Sequence, residues 1–207
     1  ERDGAGVARA IVAPFGQRRY DPIYAAAAGM GLPVAIHPGT EGRSITTPPT
    51  SAGYPARRLE WHTNLSLNYM AHATSLICEG VFARFPDLKV ILLTNATLID
   101  RPKVKEAMRL IDEDNGEFWL KLDAGSEEYY RLVDRTTIPF ARVLRNILDA
   151  ARVRPIVLQS LFMRVRGEGP AAAEIEAFCD RVGEILAEGG AISLIQVYTV
   201  ARPPAEA

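Results

Sequence analysis

Six short apolar runs, each separated from the next by a helical pattern, constrain this chain more than any other feature. They are Val7 to Phe15 (VARAIVAPF), Leu32 to His37 (LPVAIH), Lys89 to Thr94 (KVILLT), Phe118 to Asp123 (FWLKLD), Ile156 to Leu161 (IVLQSL) and Ile192 to Val200 (ISLIQVYTV). Short runs rich in β-branched and aromatic residues read as strands. Strands that alternate with helices call for βα units and a parallel sheet. The expected fold is therefore α/β, a parallel (βα) partial barrel of about six strands, TIM-barrel-like, with an open doubly wound sheet as the alternative. A chain of 207 residues, 48% hydrophobic, suffices for one sizeable core and reads as a single domain over 1–207.

The connections carry their own signals. Asp21 before Pro22 and the run IYAAAAGMG suit an N-cap, a proline at the first helical position and a glycine stop. Pro33 must sit at the start of its strand, where a missing N–H costs least. A long Gly/Pro/Thr loop, Pro38 to Pro55, suggests function rather than simple connection. A helical region follows from about Arg57 to Phe85, in one piece or two. Asp100 and Pro102 open another helix, with Val104, Met108 and Ile111 in helical spacing. Glu127, Glu128 and Arg131 read as a polar connection. Pro139 starts the helix PFARVLRNILDAARV, and the loop RVRGEGP leads into AAAEIEAFCDRVGEILAEGG.

A net charge of -1 gives no electrostatic reason to expect a nucleic-acid partner or an anionic membrane surface. No apolar run approaches the roughly 20 residues that span a bilayer. Cys78 and Cys179 each lie in a helical pattern beside apolar residues and read as buried free thiols in a reducing compartment, which makes the cytoplasm the expected location. The chain starts at Glu1 and shows no basic region ahead of an apolar stretch, so it reads as a processed product or a fragment.

Parallel sheets bind ligands at the carboxyl ends of their strands. Strand alternation places Trp119, Lys121 and Asp123 on one face and Phe118, Leu120 and Leu122 on the other, apolar enough to lie under helices. By the same parity His37, Asn95, Gln159 and Gln196 come near a common rim, where a small-molecule ligand at the barrel mouth is expected. Arg43, with Arg57 and Arg58, flanks the long loop as a substrate-carboxylate site or as solvated arginines. His62 and His72 lie ten positions apart, rotated about 80° on a helix, and read as surface or capping residues. RVRGEGP falls short of a phosphate-binding loop, and Glu127 with Glu128 and Glu174 with Glu176 read as exposed helix charges. No residue is assigned a catalytic role.

Two stretches of the first half, YDPIYAAAAGMGLPVAIHPGTEG from Tyr20 to Gly42 and GVFARFPDLKVIL from Gly80 to Leu92, resemble the amidohydrolase-related family of metal-dependent hydrolases and decarboxylases built on a (βα) barrel. The resemblance implies that His37 occupies the place of an imidazole metal ligand, usually for zinc. The family's His-x-His pair has no counterpart here, nor does the aspartate of its last strand. A catalytic zinc needs about three protein ligands and an open position for water.

Four stretches of the second half, LLTNATLIDRPKV, FWLKLDAGSEEYYRLVDR, VLQSLFM and IQVYTVARPPAE, resemble the radical S-adenosylmethionine enzymes. That resemblance implies that Asn95, Lys121, Asp123, Gln159 and Gln196 face a cofactor or substrate across the barrel mouth. The three cysteines that would hold the iron–sulfur cluster are missing from GQRRYD, which argues against both the cluster and radical chemistry. The two resemblances together suggest a chimera of residues 1–92 and 93–207, joined at the strand LKVILLTN. Three readings stand: a hydrolase or decarboxylase using zinc at His37, a remnant that binds S-adenosylmethionine, and a folded scaffold without inherited activity. The scaffold would form a homo-oligomer to cover its open sheet edges.

Overall fold

A computed structural model describes residues 13–36, 56–113 and 116–200, apart from the side chains at positions 58, 59, 61, 62 and 65. His37, Arg43, the loop from 38 to 55 and the side chains of Arg58 and His62 thus lie outside the described residues. The chain divides into two compact units, Glu1–Lys89 and Val90–Ala207.

The first unit is helical where it is described. A short 3-10 turn leads into α1 (Asp21–Gly29), which carries its proline in the first turn. Helix α2 (Arg58–Cys78) ends at Glu79, and Gly80, in the left-handed region at φ 65°, separates it from α3 (Val81–Arg84). The long helical region is therefore broken in two, at a residue without a Cβ. Tyr24, Ala27, Val81 and Leu88 form the core, with Val34, Leu76, Phe82 and Phe85 packed around them. The segment before α1 is fixed from several sides. The Tyr24 hydroxyl donates to the Phe15 carbonyl at 2.6 Å, and Arg84 pairs with Asp21 at 2.8 Å. The His72 ring stacks on Phe15 with centroids 3.9 Å apart. Gly16 donates its N–H to Ser75 Oγ, and a Cβ on Gly16 would fall 2.0 Å from the Ser75 carbonyl oxygen.

One expected strand of this unit differs from the structure, and another lies mostly outside the described residues. Of Val7 to Phe15 only residues 13–15 are described, and they lead into a turn; residues 32–36 contain one isolated bridge residue, Val34, in place of a strand. Pro33 removes a ladder donor beside that bridge, and Leu32 is tied back to α1 through its N–H to the Ala27 carbonyl at 2.9 Å.

The second unit is an α/β layer. Strands β1 (Ile91–Thr94), β2 (Glu117–Lys121), β3 (Ile156–Leu161) and β4 (Ile192–Tyr198) form a parallel sheet in the order β1-β2-β3-β4. They are joined through α4 (Pro102–Glu113), α5 (Glu127–Asp134), α6 (Phe140–Val153) and α7 (Ala172–Ala187). This is the architecture of a partial (βα) barrel, with four of the expected strands in its sheet among the described residues. Glu127, Glu128 and Arg131 belong to α5 rather than to a polar connection. The helix is capped by Ser126 Oγ, which accepts the Tyr129 N–H at 3.2 Å.

Parity fixes the two faces of the sheet. Phe118, Leu120 and Leu122 lie on one face with Ile156 and Leu158, all buried, and Phe140, Val143 and Ile147 of α6 and Phe178 and Ile185 of α7 complete that core. On the other face register aligns Leu93, Trp119, Val157 and Leu194 in one row and Lys121, Gln159 and Gln196 in the next. The register slips once, between Ile156 and Val157, where Ser193 is the extra residue and its hydroxyl donates to the Ile156 carbonyl. Among the described residues no helix is long and apolar enough to cross a membrane.

Candidate active site

The polar side chains at the carboxyl ends of β1 and β2 meet in a small cavity of about 60 Å³, lined by Asn95, Lys121, Asp123, Tyr130, Asp134 and Thr136 among others. A water molecule occupies about 30 Å³ in the liquid, so the space suits a few waters or one small polar group of a larger ligand.

Asp123 extends β2 beyond its last ladder residue and is 5% exposed. Its Oδ1 accepts the Leu161 N–H at 2.7 Å, and its Oδ2 meets Lys121 Nζ at 3.0 Å. Lys121 also donates to the Tyr198 hydroxyl at 2.5 Å and lies over the Tyr198 ring, 4.9 Å from its centroid. Burial opposes the lysine's charge, but the Tyr198 hydrogen bond and the Asp123 carboxylate outweigh it, so the ammonium titrates above its ordinary range. The carboxyl ends of β2, β3 and β4 are thereby cross-linked by one ammonium and one carboxylate.

Asp134 enters from the last turn of α5. Burial pushes its carboxyl up to about 6, the Asp123 carboxylate adds to the rise, and the Lys121 ammonium partly offsets it. Helix α5 stops there because Arg135 takes the left-handed conformation, φ 49°. The third wall is the loop after β1. Asn95 Oδ1 accepts from both the backbone N–H and the hydroxyl of Thr97, the hydroxyl at 2.8 Å, which closes an Asx turn. Ala96, at the centre of that turn, is fully buried at φ 59°.

The structure thus brings together Asn95, Lys121 and Asp123. Gln159 and Gln196 share the register row of Lys121, but Gln159 Nε2 donates to Gln196 Oε1 at 2.7 Å and neither lines the cavity. His37 and Arg43 lie outside the described residues. Sequence reasoning missed Asp134, Thr97, Thr136 and Tyr198. Asp134 had an available signal: it follows Tyr130 by four positions, so both project from one face once Ser126-Glu-Glu is read as a helix start.

Among the described residues no three His, Cys, Asp or Glu side chains group as metal ligands. In the cavity, both Asp123 oxygens are already engaged and its partner is a cation. Among the described residues this donor set falls short of a catalytic zinc site, which takes about three protein ligands.

A family model described as amidohydrolase matches residues 7–153. The match continues through the proposed seam at residues 92–93, so that 93–153, read as the start of a second lineage, falls within it. It spans every cavity-lining residue from Asn95 to Val143 and stops short of β3. No curated protein matches the chain. With well over half of its length matched, the chain belongs to the amidohydrolase family.

Proposed function

We propose that this protein is an amidohydrolase-type hydrolase that cleaves a neutral acyl bond, an amide or an ester, in the cavity at the carboxyl ends of β1 and β2. The observation that carries this reading is the joining of Asp134, Asp123 and Lys121 in that cavity. The cavity holds two carboxyl groups and one ammonium, so it bears an excess negative charge once Asp134 ionises. A substrate carboxylate would meet like charge there, which favours hydrolysis of an uncharged group over decarboxylation.

The roles follow from the chemistry of each group. Asp134, titrating at about 6, is ionised at neutral pH yet close enough to that pH to exchange protons efficiently. It takes a proton from a water molecule as the oxygen attacks the acyl carbon, then returns that proton to the departing amine or alcohol. Lys121 keeps its charge and stabilises the oxyanion that develops on the acyl oxygen. Asp123 holds the ammonium in place. Asn95 and Thr97 supply amide and hydroxyl groups to orient the substrate. Water and the acyl compound are consumed, and an acid and an amine or alcohol are released.

The test is a panel of small amides and esters, assayed with the parent protein and with Asp134→Asn. The parent should show kcat/KM rising with pH around a midpoint of about 6, and the variant should lose on the order of 10²-fold or more in kcat. Undiminished turnover in Asp134→Asn would sink the assignment. So would activity that depends on about one bound zinc per chain and disappears with that metal in His37→Ala.

A further inference from the structure

The cavity's third wall rests on a backbone conformation that its own sequence does not favour. Ala96 sits at φ 59°, in the left-handed region. L-residues enter it at a steric cost, and alanine, unlike asparagine or aspartate, has no polar side chain to compensate. The residue is also completely buried. Something outside the loop has to hold it.

Two contacts do so. The Ala96 N–H donates to Oγ1 of Thr94, the last residue of β1, at 3.2 Å. The Ala96 carbonyl accepts from Asn146 Nδ2 at 2.7 Å, across fifty positions of sequence. Asn146 lies on α6 and is 3% exposed, among the few polar side chains in an otherwise apolar core. Its neighbour one turn earlier, Val143, lines the cavity directly, so one face of α6 supplies both a wall and the hold on the loop. A second tie, Arg142 to Asp100 at 2.9 Å, joins the same helix to the same loop at its half-exposed end. Arg142 does not reach the turn at Ala96. The residues on either side of Ala96, Asn95 and Thr97, both line the cavity.

We propose that Asn146 is a positioning residue for the site: by holding the Ala96 carbonyl it keeps the β1 loop in the left-handed turn that directs Asn95 and Thr97 into the cavity. The inference rests on reading the cavity as the reaction site, but its test does not require turnover. With Asn146 truncated, the buried carbonyl loses its donor and the turn loses its hold. The loop relaxes toward an ordinary conformation and water reaches the cavity.

The titration of Asp134 reports this, because burial is the main cause of its elevated midpoint. The experiment is carbon-13 NMR of the side-chain carboxyls as a function of pH, with the Asp134 signal assigned by its loss in Asp134→Asn. The parent should titrate at about 6. In Asn146→Ala the midpoint should fall toward the ordinary carboxylate value. Adding Ala96→Gly in that background should restore it, because glycine adopts the left-handed turn without being held. Ile185→Val, a conservative change at a buried α7 position, should lower stability and leave the midpoint where it was. If Asn146→Ala fails to fold, Asn146→Ser with and without Ala96→Gly gives the same comparison. An unchanged midpoint in the truncated variant, or no recovery on adding Ala96→Gly, overturns the proposal. Absent turnover with the expected titrations would remove the hydrolase reading alone.

Discussion

Replacing Asp134 by asparagine should make the protein more stable at neutral pH while disabling it. Asp134 titrates at about 6 in the folded chain against an ordinary value of 3.8. The unfolded chain therefore releases this proton first. Between those two values the folded state retains a proton that the unfolded state has lost, so the group's contribution to stability declines as pH rises. The penalty is complete above about 6 and absent below about 4. At 1.36 kcal/mol per unit the difference corresponds to roughly 3 kcal/mol, and partial exposure of the side chain trims it to about 1–2 kcal/mol. Asparagine is close in shape and cannot ionise, so it removes the penalty. Urea unfolding followed by circular dichroism is a direct assay. With a typical slope of about 2 kcal/mol per molar, the midpoint for Asp134→Asn at pH 7.5 should lie roughly 0.5–1 M above the parent, and the two curves should merge near pH 4. A variant that is less stable at pH 7.5, or one whose advantage is the same at pH 4, would refute the electrostatic account. Stabilisation coupled to loss of turnover is the signature of a group kept for chemistry at the expense of the fold.

Two further outcomes test the scaffold around the cavity. Ser126→Ala removes the N-cap of α5 and the hydroxyl that donates to Glu174 of α7. It should cost about 1–2 kcal/mol in urea unfolding, and a loss below 0.3 kcal/mol would show the cap to be idle. Leu158→Ala, at a fully buried position of β3, should cost about 2–5 kcal/mol. A loss near zero would mean that the core face of the sheet has been assigned the wrong way round.

The sheet was legible in the sequence wherever period-two alternation operated. In Phe118 to Asp123 the apolar set, Phe118, Leu120 and Leu122, is the set buried under the helices, and the polar set gave Lys121 and Asp123 to the cavity. The same parity placed Gln159 and Gln196 in the right row but could not show that two amides of adjacent strands would satisfy each other. Leu32 to Ile36 has the composition of a strand, yet it holds only one bridge residue. Asp134 was hidden because its helix is short and opens on consecutive glutamates. The left-handed conformation of Ala96 had no local signal, since alanine does not favour it and the amide that holds its carbonyl lies on another helix. Pairings of that kind are set by tertiary packing and leave no imprint on neighbouring residues.

The strands of the second unit occur in space in the order in which they occur along the chain. Each new strand therefore has its hydrogen-bonding neighbour already made when it leaves the ribosome, and no edge has to be reopened for a later insertion. At about 5–20 residues per second of synthesis, successive strands emerge seconds apart, whereas docking of small structural elements takes far less time. Assembly can follow translation step by step, with one growing edge at a time. A premature stop after β3 would leave a shortened sheet of the same pattern rather than a gap within it. The Lys121 ammonium would then lack the Tyr198 hydroxyl that β4 supplies, so its set of partners is complete only once β4 has joined the sheet.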